Sequence, residues 1–361
     1  MGRRWASGAG GALAVCLLLY PGVAAAQGGF TVGNVTARPG ETVSGNLTVP
    51  ARAGDAGTTI PVSIVQGVRP GPILALIAGV HGAEYPPILA LQRIRGSLDP
   101  KELSGTVILV HVANVPSFLA RTVYYSPVDG KNLNRVFPGR PDGTLSERIA
   151  DVITREVIER STDVIDLHCG DGNESLRPYS YWAVTGAPEV VEKGRQLALA
   201  FGIDHIVVDR SLPADPAKSL YVDATAITRG KPALTAESGG LGQTDEASIA
   251  RIERGVAGVL RQLKMRLTGP EPVSSVVWIG RNEVLTSGAT GVFFPAVERG
   301  QTVAAGALIG HVTDFYGRML QEIRAPFAGE VLYIVGTPPT SKGEPIAMIG
   351  ERAMESDLPK R

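Results

Sequence analysis

The run Pro72-Ile-Leu-Ala-Leu-Ile-Ala78 is apolar at every position. A strand with one solvated face alternates polar and apolar residues, so a run without alternation belongs to a strand covered on both faces. That points to a sheet with helices on either side. The stretch from Thr59 to about Leu267 reads the same way. Strands are expected over 61–65, 72–80, 105–112, 163–168, 205–208 and 233–236. Apolar residues at helical spacing predict helices over 85–95, 144–161, 189–201 and 245–267. Such alternation predicts an α/β fold, with a mixed, mostly parallel sheet flanked by helices. Ligands of such sheets bind outside the carboxyl ends of the strands.

The flanking segments differ in texture. Residues 1–26 read as a secretory signal peptide, with Arg3 and Arg4 ahead of a short apolar run and Ala24-Ala25-Ala26 as a small-residue cleavage site. The run is short for a spanning helix, which needs about 20 residues. A lipid-attachment site wants a small residue where Val15 precedes Cys16. The expected product starts near Gln27 and is secreted or periplasmic. Cleavage removes two arginines and no acid, so the 35 basic and 35 acidic residues of the chain become 33 and 35. That near-neutral balance leaves no electrostatic footprint for nucleic acid or an anionic membrane. Cys169 is then the lone cysteine, which excludes an intrachain disulfide.

Residues 27–58 predict an N-terminal β segment, and 59–268 the main α/β domain. From 269 to 350, glycines and prolines punctuate short β-like runs, and 351–361 reads as a tail. The segments beginning at Gly291 and Gly329 form a weak internal repeat that resembles the flattened β-barrel of biotinyl and lipoyl domains. The turn between them, Asp314-Phe-Tyr-Gly-Arg-Met319, lacks the lysine such carriers modify.

Chemistry concentrates at the predicted strand ends. Gly79-Val-His-Gly-Ala-Glu84 sets an imidazole and a carboxylate three residues apart, and Asp166-Leu-His168 supplies a second imidazole. Two His and one Glu form a three-ligand zinc set that leaves a position open for water. Asp166, two residues from His168, shares its strand face and could orient the ring. Asn134-Arg135 places an amide beside a guanidinium, whose fork matches a carboxylate. Glu237 ends another apolar run, where it could serve as general base and acid. Each feature alone has a bland reading: a hydrogen-bonded strand-end His, a surface Arg, a capping Glu.

The ordered set His81-x-x-Glu84, Asn132-Leu-Asn-Arg-Val-Phe-Pro-Gly139, Asp166-Leu-His168 and Glu237 resembles the succinylglutamate desuccinylase/aspartoacylase family of the zinc carboxypeptidase superfamily. The likeness spans roughly Thr59 to Gly350 and includes an appended C-terminal β domain. It implies one zinc per chain on His81, Glu84 and His168, a substrate carboxylate held by Asn134 and Arg135, and Glu237 as general base and acid. The family also uses an upstream arginine at the developing oxyanion. Arg121 is assigned that role here, although Val123 stands where relatives often carry a second arginine.

The expected function is hydrolysis of an amide bond in a small, carboxylate-bearing substrate, by Glu-assisted attack of zinc-bound water. An N-acyl amino acid is the first choice. An exported metallocarboxypeptidase acting on peptides or cell-wall fragments is the alternative, and a non-catalytic binding protein of the same fold is another. A serine hydrolase is remote, since no Gly-x-Ser-x-Gly elbow occurs. Cys169 is expected to be a buried free thiol, and His111 and His205 hydrogen-bonded core residues. Tyr179, Tyr181 and Trp182 are either pocket lining or packing.

Overall fold

The computed structural model describes residues 1–2 and 28–358 of the 361-residue chain. The expected signal peptide, residues 1–26, and its cleavage point lie outside the described residues except for Met1 and Gly2. No helix among the described residues is long and apolar enough to cross a membrane.

One large mixed sheet organises the molecule. At its centre lie Ala233–Glu237, Asp163–His168, Arg69–Ala78 and Ser104–Val110, each parallel to the next. Tyr179–Ala183 joins Ala233–Glu237 antiparallel, while Thr58–Gln66 and Glu41–Val49 extend the opposite side antiparallel. An N-terminal hairpin, Phe30–Val32 with Val35–Ala37, packs beside them.

The all-apolar run behaves as its pattern demands. Leu74, Leu76 and Ala78 face the helices Tyr85–Ser97, Pro188–Phe201 and Glu246–Gln262. Ala75 and Ile77 face the other way, against Leu145, Ile149 and Val157. Both sides are fully buried, and each large aliphatic side chain so covered contributes about 1.5–3 kcal/mol. The helix predicted over 144–161 is an α-helix, Leu145–Ile153, continued by a π-helical stretch, Thr154–Ile158. The wider turn keeps Val157 and Ile158 inside the core. The last predicted helix stops at Gln262, and Lys264 beyond it is left-handed at φ 57°. The helices Val115–Ala120 and Val222–Ile227 escape prediction because six residues are too few to display a period.

The C-terminal β region is stitched into the same sheet. The strand Val277–Thr286 begins parallel to His205–Asp209, then pairs antiparallel with Pro345–Ala353. A second sheet of Gly291–Pro295, Leu308–Thr313, Met319–Arg324 and Pro339–Thr340 shares a core with it, built on Phe293, Ile309, Val331 and Ile346. The expected flattened barrel thus takes the form of two sheets sharing one core, because one is hydrogen-bonded onward into the central sheet. Residues 351–353, read as the start of a tail, complete a paired strand, and Leu358 is buried against Trp278.

Candidate active site

Three parallel strands end together, and each delivers one part of the site. Beyond Ala78, Gly79 turns the chain at φ 68° and leads into His81. A Cβ on Gly82 would stand 2.2 Å from the Ser117 carbonyl oxygen, so only glycine permits this close approach. Glu84 then caps the helix Tyr85–Ser97, whose first turn holds Pro86 and Pro87, residues with no N–H to leave unpaired. His168 ends the neighbouring strand, and Glu237, the end of the next, is its direct partner in the register.

His81, Glu84 and His168 converge, with one ligand atom from each lying within 4.8 Å of the others. Glu84 Oε1 is 2.7 Å from His81 Nδ1, and Oε2 is 2.9 Å from His168 Nδ1. The second contact lacks hydrogen-bond geometry, so Glu84 Oε2 is a buried oxygen without a hydrogen-bond partner. Both rings turn Nε2 away from Glu84: His81 Nε2 hydrogen-bonds Asn132 Oδ1 at 3.0 Å, and His168 Nε2 lies 3.0 Å from Asp166 Oδ1, a charge contact that, like the one to Glu84 Oε2, lacks hydrogen-bond geometry. Burial lowers the proton affinity of both imidazoles. Asp166 and Glu84 reverse this at His168, and Glu84 reverses it at His81. Burial likewise disfavours the Glu84 carboxylate, yet the two imidazoles hold its pKa below the usual range. Two inward nitrogens, an orphaned carboxylate oxygen and a field that draws positive charge suit a divalent cation such as zinc.

A cavity of about 1040 Å³ opens over these residues and is lined by Glu237, Asn134, Arg135, Tyr124, Glu174 and Tyr333, among others. Burial pushes the Glu237 carboxyl upward. His168 opposes the shift and Glu84 reinforces it. Glu237 Oε2 is buried and free of hydrogen bonds, ready to take a proton. Arg135 lies 4.7 Å over the Tyr221 ring and donates to the Asn134 carbonyl at 2.7 Å. Asn134 is more deeply placed: Nδ2 approaches His168 Nε2 at 3.5 Å, and Oδ1 accepts from the Val222 N–H at 3.3 Å. Its side chain braces the site beneath Arg135.

Arg121 is a correction. It caps the helix Val115–Ala120 in a left-handed conformation, is exposed, and is absent from the cavity lining. The chain reversal at that residue turns its side chain out and sends Tyr124 into the cavity instead. Tyr124 is itself left-handed at φ 57°, held by its N–H on Asp171 Oδ2 at 2.8 Å. Tyr179 and Tyr181 line the cavity, whereas Trp182 packs on Trp278 and donates to the Val191 carbonyl. Cys169 is a buried free thiol that borders the cavity. His111 bonds Ser63 and His205 bonds Glu330, both away from the site.

Asn132, Tyr124, Glu174 and Tyr333 were missed as site residues. Asn132 and Glu174 stand near recognised motifs, so their proximity was a usable signal. Tyr333 comes from the C-terminal strands and carries none.

Known proteins match this arrangement. Residues 70–263 fit the succinylglutamate desuccinylase/aspartoacylase catalytic domain. The chain is 33% identical over 300 residues to the N-alpha-acetyl-L-2,4-diaminobutyric acid deacetylase of Halomonas elongata, covering 81% of this chain and 85% of that protein. The product-bound ectoine utilization protein EutE (DoeB) of Ruegeria pomeroyi superposes with a TM-score of 0.78 at 27% identity, over 87% of this chain and 96% of that one. A succinylglutamate desuccinylase from Silicibacter sp. TM1040 gives a TM-score of 0.76 at 25% identity, over 91% and 96%.

Proposed function

Because the chain belongs to the succinylglutamate desuccinylase/aspartoacylase family, whose members include deacylases, we propose that it is a zinc-dependent hydrolase releasing the acyl group from a small N-acyl amino acid. The observation that carries this reading is the convergence of His81, Glu84 and His168 beneath one cavity with Glu237 and Arg135. His81, Glu84 and His168 would hold the zinc. When bound, the metal acts as a Lewis acid on the amide carbonyl and raises the acidity of water.

The chain's own residues supply the rest. Arg135 forms no ion pair among the described residues, so its guanidinium is available to a substrate carboxylate. The Asn134 carbonyl and the Tyr221 ring hold it in place. Glu237 takes a proton from the attacking water on its unpaired Oε2 and returns it to the departing amine. From the signal-peptide pattern of residues 1–26 we further propose that the working protein lies outside the cytoplasm after their removal, which intact mass measured on the exported protein tests.

Purified protein should contain about one equivalent of zinc and release acetate from N-acetyl amino acids. Turnover of short peptides alone would favour the carboxypeptidase alternative. Neither activity from zinc-loaded protein would leave a binding protein of the same fold.

A further inference from the structure

The proposed reaction lacks a protein donor for the oxygen that gains charge when water attacks the amide carbonyl. Arg121, the residue that resemblance assigns there, is exposed and absent from the cavity lining. Other cavity donors are committed elsewhere. Asn134 is held by His168 and the Val222 N–H, Lys131 pairs with Glu147 at 3.1 Å, and the Tyr181 hydroxyl meets Met348 Sδ at 3.8 Å.

Tyr124 is placed differently. Its ring stands edge-on to the His81 ring, with centroids 6.1 Å apart and 89° between the planes. Its N–H donates to Asp171 Oδ2 at 2.8 Å, and that same oxygen lies 4.0 Å from His81 Nδ1. One carboxylate oxygen thus ties the Tyr124 backbone to a candidate metal ligand. The hydroxyl donates to Glu174 Oε1 at 2.7 Å, and Glu174 lies within electrostatic reach of both Glu84 and Glu237. The backbone is strained to achieve this, since φ 57° is an outlier for an aromatic residue. Such strain persists where surrounding contacts enforce it, commonly at active sites. Here the Asp171 bond enforces it.

We propose that Tyr124 is a catalytic residue whose hydroxyl donates a hydrogen bond to the anionic oxygen developing on the scissile carbonyl. This rests on the deacylase reading and adds a participant to it. In the free protein the hydroxyl rests on Glu174, and moving to the carbonyl oxygen exchanges one charged acceptor for another. Catalytic hydrogen bonds are often completed only in the loaded complex. The phenol keeps its proton throughout. Glu237 carries the proton taken from water, and when the amine leaves with it the carbonyl reforms and the hydroxyl returns to Glu174.

The test has two arms. Tyr124→Phe deletes the hydroxyl alone, and kcat of the zinc-loaded protein on N-acetyl amino acids should fall about 100- to 1000-fold with zinc content and KM little changed. Arg121→Asn, a residue type that tolerates left-handed backbone, should keep kcat within about threefold. In the second arm the zinc-loaded wild type is crystallised with a methylphosphonamidate analogue of an N-acetyl amino acid, whose tetrahedral anion mimics the state after attack. Tyr124 Oη should leave Glu174 and lie about 2.7–3.1 Å from a phosphonyl oxygen. Full turnover by Tyr124→Phe, a loss of about 100-fold in Arg121→Asn, or a Tyr124 hydroxyl still on Glu174 in the complex overturns the assignment and leaves the deacylase reading intact. No turnover of any N-acyl amino acid by the wild type overturns both. If Tyr124→Phe loses zinc or does not fold, the wild-type complex decides.

Discussion

Glu237 and His168 face each other across two neighbouring parallel strands, in register and at the strand ends. One backbone pairing thus fixes the spacing between a candidate metal ligand and the candidate base, with no flexible loop between them. Sites built on strands are held more tightly than sites on loops. Glu237→Gln should therefore lose function without moving its neighbours. Deacylase kcat is expected to fall about 100- to 10,000-fold while zinc content stays near one equivalent. Stopped assays paired with metal analysis read both. A variant retaining full turnover would remove Glu237 from the reaction.

Asp166 supports the site from below. Its Oδ1 lies 3.0 Å from His168 Nε2, on a residue with no exposed surface. Asp166→Asn preserves shape and removes the charge that orients the ring. Zinc affinity should fall about 10- to 100-fold, as competition with a chelating dye would show. Asn132→Ala should weaken it in the same sense, because Asn132 Oδ1 holds His81 Nε2 at 3.0 Å.

These supports mark the limits of what the sequence discloses. His81, Glu84, His168, Asn134, Arg135 and Glu237 were legible because each lies in a short motif at a predicted strand end or in the intervening loop. The central strands were legible because burial on both faces erases polar alternation. Arg121 failed because a left-handed residue at a helix end reverses the chain, a turn that residue types alone do not specify. Tyr333 was illegible for a different reason. Its place in the cavity depends on Val277–Thr286 carrying hydrogen bonding from the catalytic sheet into the C-terminal strands, a pairing between distant segments.

Arg135 offers a geometric prediction. Its guanidinium stacks over Tyr221 and forms no ion pair among the described residues, the state of an arginine reserved for a ligand. Arg135→Ala should raise KM for carboxylate-bearing substrates at least tenfold. Arg135→Lys should recover only part of the loss, since an ammonium provides neither the planar fork nor the stacking. An amide-capped substrate lacking the carboxylate should be turned over equally poorly by all three proteins. Steady-state kinetics on the two substrates checks each point.

The union of the C-terminal strands with the catalytic sheet has its own polar fastening. Glu330 is buried and lies 3.1 Å from Arg177 Nε, 3.2 Å from His205 Nε2 and 2.9 Å from Arg352 Nη2. Burial raises the Glu330 pKa, but Arg352, His205 and Arg177 outweigh it and hold the carboxyl below its usual range. A depressed pKa contributes stability that is present above the unfolded value of about 4.3 and lost as pH falls through the lower folded value. Glu330→Gln should cost about 1.5–3 kcal/mol at neutral pH, the range for a hydrogen bond to a charged group. The gap between wild type and variant should narrow below about pH 4, where the wild-type carboxyl also protonates. Denaturant melts at pH 7 and pH 3.5 measure it. A gap independent of pH would show that Glu330 acts through shape rather than charge. The same variant should disturb the Tyr333 wall of the cavity, because Glu330 and Tyr333 share the strand Gly329–Val335. A loss of selectivity among N-acyl substrates, accompanying the loss of stability, would tie this fastening to substrate choice.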